Sequence, residues 1–500
     1  MSPRTTIVVP TVGRPSLDVL LHALARGSTP LTAPVVVVDD RSSATPLEAT
    51  TLELPSTGFD VTVVHSGGGG PARARNLGWR RARTPWVSFL DDDVVPSPDW
   101  YADLLVDLAG AAPGVAGSQG TVVVPLPEDR RPTDWERGTA GLESALWITA
   151  DMSYRRDALA RVGGFDERFP RAFREDADLG LRITGSHGEI VRGSRRVGHP
   201  ARPADGWASV RQQRGNADDF LMRALHGADW HERVAASPGR RRRHLAIAAA
   251  GATALVAAVA RRPRVAALAG AAWLAGTAEL AAARISPGPR DTTEVGRMLL
   301  TSLVIPFAAT WHSACGLLRH RNARPWSGLP DLVLFDRDGT LVHDVPYNGD
   351  PGLVQPVDGA RAALDRLRGV GVPVGMVTNQ SGVASGRIGS EQLAAVQARV
   401  DALLGPFDVV EVCPHGPDDE CGCRKPEPGM VTSACGRSGA RADRCVVVGD
   451  TGSDVMAAEA AGAVGILVPN PATRQNEVDR AERVSPSLAA AVDDILGGRW

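Results

Sequence analysis

Asp336 and Asp338 stand two residues apart in the run Asp336-Arg337-Asp338-Gly339-Thr340, directly after the apolar segment Leu332 to Phe335. An acid pair at this spacing, on a turn leaving a strand, can face one ligand at the carboxyl edge of a sheet. One member can attack phosphorus while the other moves a proton to the leaving oxygen. Phosphoryl transfer also requires a cation to offset charge and donors for the equatorial oxygens. Thr378-Asn379, Lys425 and Gly449-Asp450 with Asp454 each follow or lie near an apolar run, so they can converge on the same point. Asp336 and Asp450 are the candidate Mg²⁺ ligands, with the Asp338 carbonyl as a further oxygen. Thr378 and Lys425 are candidates to hold phosphate. A plain acidic turn is the alternative for Asp336 to Thr340 alone, but three more motifs in order argue against it.

A second constellation lies inside the same region. Cys413-Pro414-His415 precedes Cys421-Gly422-Cys423-Arg424-Lys425-Pro426. Three thiolates and one imidazole within eleven residues suit tetrahedral zinc. Six cysteines in 500 residues do not make a disulfide scaffold, and a reactive or redox pair is the remaining alternative. The loop delivers Arg424 and Lys425 toward the acids, so zinc there is expected to be structural and to shape the substrate pocket.

These residues resemble the haloacid dehalogenase superfamily of phosphatases over residues 331–495. The resemblance implies Asp336 as the phosphorylated nucleophile and Asp338 as general acid and base. Thr378, Lys425 and Asp450 match the remaining motifs, with Asp454 as a supporting acid. The cysteine–histidine loop, together with Thr378-Asn379-Gln380-Ser381-Gly382-Val383-Ala384, looks like the D-glycero-D-manno-heptose 1,7-bisphosphate phosphatases and the related histidinol-phosphate phosphatases. Those relatives place an arginine directly after the position of Ala384, where this chain has Ser385; Arg387 is the candidate to stand in.

The first half of the chain carries different chemistry. Asp39 and Asp40 close the apolar run from Val35, and acids there can bind a base or ribose hydroxyls. Gly67 to Gly70 leads into Ala74-Arg75-Asn76, where glycines permit close backbone approach and Arg75 can meet a diphosphate. The stronger signal is Phe89-Leu90-Asp91-Asp92-Asp93, three acids that repel one another unless a cation sits among them. Asp91 and Asp93 can share one Mn²⁺ or Mg²⁺ that neutralises a leaving nucleoside diphosphate, with Asp92 a neighbouring donor-binding candidate. In isolation a solvated acidic turn is the alternative. Downstream, Glu175-Asp176-Ala177-Asp178-Leu179 offers a carboxylate to deprotonate an acceptor hydroxyl as it attacks an anomeric carbon.

Taken in order, Asp39-Asp40, Asp91-x-Asp93, Gly163-Gly164-Phe165-Asp166 and Glu175-Asp176-x-Asp178-Leu179 resemble the family 2 glycosyltransferases of GT-A fold. The match covers residues 4 to about 230. It implies a nucleotide-sugar donor, inversion at the sugar and Asp176 as base. It also implies His199, in Gly198-His199-Pro200, as a metal or diphosphate contact, with a structural histidine as the alternative. Asp151 stands before Met152-Ser153-Tyr154-Arg155, where relatives often carry asparagine, and it bears on donor or acceptor contacts.

The elements that must position these residues follow from pattern. Thr6 to Pro10, Val35 to Asp39, Val61 to His65 and Val87 to Leu90 read as buried parallel strands, with helical spacing over Ser16 to Arg26 and Ala72 to Arg83. Leu332 to Phe335, Val372 to Val377, Val409 to Val412 and Cys445 to Val448 repeat the theme. Such alternation predicts two α/β domains: a Rossmann-like GT-A domain over residues 1–235 and a haloacid dehalogenase-like Rossmannoid domain over residues 326–500. Between them, residues 236–325 hold three alanine-rich apolar segments: Leu245 to Ala260, Val265 to Ala283 and Met298 to Leu318. A polar stretch with Pro325 and Pro330 marks a linker.

The first apolar segment is short for a bilayer span, the second contains Glu279 and the third Pro306 and His312. Arginines flank all three, which argues against a simple alternating hairpin. Both catalytic domains need cytosolic substrates, so full spans must be even in number. Two spans with one interfacial helix, or a bundle lying on the membrane, satisfy this, and a helical linker without lipid contact is the alternative. The opening Met-Ser-Pro-Arg runs into Ile7-Val8-Val9 without a signal-peptide core, which predicts a cytoplasmic chain at the inner face of the cell membrane. A formal charge of −2 gives no general case for nucleic acid. The expectation is therefore a bifunctional carbohydrate enzyme, taking a nucleotide-sugar donor, a glycan or lipid-linked acceptor and a phosphorylated sugar. The alternative is a histidinol-phosphate or other small phosphomonoester phosphatase led by a non-catalytic sugar-binding module.

Overall fold

The fold is described from a computed structural model covering residues 4–42, 47, 59–323, 325–498 and 500. The Met-Ser-Pro start and Arg324 of the expected linker lie outside the described residues. The chain divides into two compact units, Met1–Pro325 and Trp326–Trp500.

The first unit is built on one eight-stranded sheet: β1 (Thr5–Thr11), β2 (Val35–Asp39), β3 (Val61–His65), β4 (Trp86–Leu90), β5 (Val95–Pro96), β6 (Val115–Val123), β7 (Asp151–Arg155) and β8 (Glu189–Gly198). Their order is β3-β2-β1-β4-β7-β6-β8-β5. The first four in that order are mutually parallel, and β7 runs antiparallel to both β4 and β6. Alternation along each strand feeds two cores. Ile7, Val9, Val35 and Val37 pack with Leu20 and Leu24 on one face, while Val8, Val36 and Val38 pack with Leu77 and Trp79 on the other. The expected buried strand at Val61 to His65 is instead the sheet edge, where only Val64 is buried. β6 and β8 were not legible as strands, because Gly117, Gly120, Gly193 and several arginines break their apolar pattern.

Three long helices complete this unit: Arg241–Val259, Pro263–Ile285 and Thr292–His320, each long and apolar enough to cross a membrane. The first is longer than its apolar segment because it begins inside the arginine run, so its expected shortness is corrected.

The second unit is a five-stranded parallel sheet of β9 (Leu332–Phe335), β10 (Val374–Asn379), β11 (Val409–Cys413), β12 (Cys445–Gly449) and β13 (Val464–Leu467), ordered β11-β10-β9-β12-β13. Val333, Phe335, Val446 and Val448 face one core; Leu332, Leu334, Cys445 and Val447 face the other. Strand order reverses at β9, which leaves a crevice at its carboxyl end.

Two candidate active sites

At that crevice, Asp336 leaves β9, Thr378 and Asn379 end β10, and Asp450 follows β12. Lys425, buried, donates from Nζ to Asp336, to Asp454 Oδ1 at 2.5 Å and to the Val377 carbonyl at 3.1 Å. Burial first, then the neighbouring acids Asp454, Asp338 and Asp450, pushes Asp336 well above the usual carboxylate range, against the pull of Lys425. Burial works against the Lys425 charge, but Asp336 and Asp454 outweigh it and raise its pKa. Asp338 is more open and accepts from Gln380 Nε2 at 2.7 Å and from its neighbour Arg337 at 2.9 Å. Gln380 also donates to Thr378 Oγ1 at 2.8 Å.

Asp450 is held by residues the sequence reading missed. Thr340 Oγ1 donates to it at 3.0 Å and Asn470 Nδ2 at 2.7 Å, while Thr473 Oγ1 donates to its carbonyl at 2.7 Å. Burial, then Asp454, pushes Asp450 up to about 6. Gly339 has φ +85° and passes so close to Asp450 that a Cβ would lie 2.4 Å from its carboxylate, so only glycine fits the turn. Asn470 follows β13, a strand the sequence reading did not include, and it has no motif of its own that could have pointed to it.

The structure also separates roles within the set. Asn379 exchanges hydrogen bonds with the Lys425 backbone, accepting from its N–H at 3.1 Å and donating to its carbonyl at 3.2 Å. It therefore braces the loop that carries Lys425. Arg424 donates to the His415 carbonyl at 3.2 Å, and Arg387 stacks on Tyr347 at 4.3 Å.

Cys413, His415, Cys421 and Cys423 bring one ligand atom each within 4.8 Å of one another. Sulfur–sulfur separations are 3.4 to 3.7 Å, and His415 Nδ1 lies 3.2 Å from Cys423 Sγ. Four tetrahedral ligands at Zn–S of about 2.3 Å would stand roughly 3.8 Å apart, so the four atoms fit zinc. Burial pushes the Cys413 thiol up to about 12, so a metal must displace its proton.

In the first unit, the carboxyl ends of β1 and β4 open a cavity of about 500 Å³, lined by Asp40, Arg75, Asp91, Asp92, Asp93, Asp176 and His199 among others. Asp91, Asp93 and His199 place ligand atoms within 4.8 Å of one another. His199 Nε2 is 3.6 Å from Asp93, and its buried Nδ1 has no partner among the described residues. Burial, then Asp91, raises Asp93, although His199 and Arg202 oppose this. A divalent cation fits that set of donors. Asp92 accepts from Thr11 Oγ1 and Arg14, each at 2.6 Å, which fixes the metal turn to β1.

Arg75, the expected diphosphate contact, is buried between two acids, donating to Asp91 at 2.7 Å and Glu175 at 2.9 Å. It ties the metal turn to the helix Glu175–Gly185 that carries Asp176. Glu175 was not singled out from sequence; burial, then Asp176, pushes it up to about 8. Asp176 is raised in the same direction, by burial first. Asp178 faces away from the cavity lining, paired with Arg182 and His226. Asp40 accepts from Ser66 Oγ at 2.6 Å and the Gly70 N–H at 2.9 Å. Asp39 lies outside the lining: burial raises its pKa, but Arg41 and two backbone N–H groups win and hold it at about 2. Asp151 is likewise not a cleft residue. It is fully buried, bonded to Arg195 Nε at 2.7 Å and Trp100 Nε1 at 2.8 Å.

A second cavity of about 280 Å³ shares Trp135, Arg202 and Gln212 with the first and is walled by Glu294, Arg297 and Met298.

Comparison with known proteins finds a match in each unit. Residues 6–169 match the glycosyl transferase family 2 model, and residues 422–495 match the HAD-hydrolase-like model. The D-glycero-β-D-manno-heptose-1,7-bisphosphate 7-phosphatase of Pseudomonas putida KT2440 is 33% identical over 173 residues, 33% of this chain and 99% of that protein. The enzyme of the same name from Bordetella bronchiseptica RB50 is 33% identical over 174 residues, 33% of this chain and 97% of that protein. A crystal structure of D,D-heptose 1,7-bisphosphate phosphatase from B. bronchiseptica, complexed with magnesium and phosphate, is 32% identical, covers 33% of this chain and 98% of that chain, and gives a TM-score of 0.31.

Proposed function

Because this chain belongs, through its C-terminal unit, to the D-glycero-β-D-manno-heptose-1,7-bisphosphate 7-phosphatase family, we propose that it removes the 7-phosphate of a heptose bisphosphate and leaves the 1-phosphate. Its N-terminal unit carries a family 2 glycosyltransferase domain, so the chain is a sugar transferase and a phosphatase in one. The observation that carries the phosphatase reading is the buried set Asp336, Lys425 and Asp454 at the crevice, with Asp338 open beside it.

In this reading Asp336 attacks phosphorus through a carboxylate oxygen, the bond to the leaving oxygen breaks, and Asp338 gives that oxygen its proton. Asp338, now ionised, takes a proton from water as it attacks the aspartyl phosphate, which restores Asp336 and releases phosphate. Thr378 and Lys425 hold the equatorial oxygens. Mg²⁺, held by Asp336, Asp450 and the Asp338 carbonyl, would offset the phosphate charge. Cys413, His415, Cys421 and Cys423 would hold zinc in a structural role, fixing the loop that carries Arg424 and Lys425.

For the transferase we take Asp91, Asp93 and His199 as the Mn²⁺ or Mg²⁺ set facing a donor diphosphate, with Asp40 and Asp92 on the nucleotide side. Asp176 removes the proton of the acceptor hydroxyl as it attacks the anomeric carbon, which inverts that centre. The domain limits 1–235, 236–325 and 326–500 serve as working boundaries, and the apolar segment brings the transferase to the inner face of the cell membrane. Phosphate release by the full chain from a panel of phosphorylated sugars tests the substrate, and a preference for another phosphomonoester would replace it.

A further inference from the structure

The helix Thr292–His320 has one buried face and, opposite it, an apolar face that is largely exposed, where Phe307 reaches Gly251 of the helix Arg241–Val259. Met298, Ser302, Ile305, Ala309, Ser313 and Gly316 form a buried stripe along its whole length. That stripe meets the catalytic unit: a Cβ on Gly316 would lie 2.6 Å from Ala217 of the helix Asn216–His226. Arg284 donates to Thr301 at 2.7 Å and Ser302 at 3.1 Å, and also to Asp134 at 2.7 Å and Ser209 at 2.9 Å. On the opposite side Leu300, Leu303, Phe307, Trp311, Ala314 and Leu318 repeat at i+3 and i+4 and are exposed, Trp311 by 66% and Leu318 by 71%.

The uncharged run from Met298 to Leu318 is long enough to span a bilayer, so length alone does not choose an orientation. The buried stripe does. A spanning helix would carry its polar partner into hydrocarbon, including Asp218 and Asp219 with their ion pairs to Arg171 at 2.5 Å and Arg174 at 2.9 Å. Charge chooses the occupant of the other face. Residues 240–321 hold twelve arginines against three acids, in a chain whose formal charge is −2. Arg261, Arg262 and Arg264 stand exposed at the turn between the first two apolar helices. Apolar surface framed by arginine complements an anionic leaflet.

We propose that the helix Thr292–His320 lies in the plane of an anionic lipid leaflet, its outer stripe among the acyl chains, and does not cross. The proposal rests on the membrane reading above and adds an orientation to it. Glu294, Arg297 and Met298 on its first turns wall the second cavity, so this seating places the cavity beside the donor cleft at the lipid surface.

The test uses the full chain with zinc bound, in a Cys315→Ser background, labelled with a nitroxide at Leu300→Cys, Phe307→Cys or Leu318→Cys in turn. Each protein is mixed with vesicles of phosphatidylcholine alone or with phosphatidylglycerol, and helix content with the unfolding transition by circular dichroism, compared with the unlabelled chain, checks folding. Binding is expected to be on the order of tenfold or more tighter on the anionic vesicles, as several arginines near the surface would give. All three labels should report one shallow depth. A spread of depths approaching the ~27 Å between positions 300 and 318 along a helix axis would overturn the in-plane orientation and leave membrane binding standing. Absence of binding to either vesicle would overturn the membrane reading itself. Dimers that bury the labels without lipid would overturn both in favour of a second copy.

Discussion

Lys425 donates to Asp454 at 2.5 Å, and the same ammonium reaches Asp336, so one buried cation holds two acids at the end of β9. Lys425→Ala is expected to lower phosphatase turnover on the order of 100-fold or more, as loss of a preorganised donor does. It should also destabilise the second unit by about 3–5 kcal/mol, because two buried carboxylates lose their partner. Phosphate-release kinetics beside thermal unfolding check both, and an unchanged rate would remove Lys425 from the site.

The zinc prediction concerns one ion per chain. Cys421→Ser should lose it and unfold the loop carrying Arg424 and Lys425, lowering phosphatase activity with it. Metal affinity should fall as pH falls, because protons compete for thiols such as Cys413, which burial holds protonated. Metal analysis of carefully prepared protein finding no zinc would contradict this.

In the transferase the two acidic sets should separate cleanly. Asp91→Ala should weaken metal-dependent donor binding measured by calorimetry. Asp176→Asn should spare donor binding and lower transfer on the order of 100-fold or more. Burial raises Asp176, so its carboxylate forms at a higher pH than usual. The active form is therefore lost as pH falls, at values above the ordinary aspartate range of about 4, and Asp176→Asn should abolish that acid limb. Full transfer by Asp176→Asn would refute the assignment.

Asp151 supplies a contrast, since it belongs to packing. Asp151→Ala leaves the buried Arg195 with Asp107, at 3.0 Å, as its remaining carboxylate, and strips Trp100 of its acceptor, and should destabilise the first unit by about 1–3 kcal/mol. Donor affinity of the folded fraction should be unchanged, measured by calorimetry alongside denaturant unfolding. A selective loss of donor binding without destabilisation would return Asp151 to the cleft.

The strands that carry chemistry were legible because they are short apolar runs ending in polar or acidic residues, as at Val35 to Asp39 and Leu332 to Asp336. What stayed hidden was three-dimensional. Thr340, Asn470 and Thr473 meet only at Asp450, and no spacing along the chain brings 340, 470 and 473 together. Arg75 looked free because its two acids, Asp91 and Glu175, lie far from it in sequence, Glu175 by 100 positions. Asp39 and Asp151 looked like ligand-facing acids, yet Arg41 and Arg195 already pair with them. Acid at a strand end marks the right edge of the sheet; it does not say which acids face the ligand.

The most direct measurement compares phosphate release from D-glycero-β-D-manno-heptose 1,7-bisphosphate by the wild-type chain and by Asp336→Asn, with product position read by ³¹P NMR. The account predicts Mg²⁺-dependent loss of the 7-phosphate, heptose 1-phosphate as product, and background activity in Asp336→Asn with sugar transfer retained. Release by a folded Asp336→Asn chain at the wild-type rate, or loss of both activities together, would contradict it.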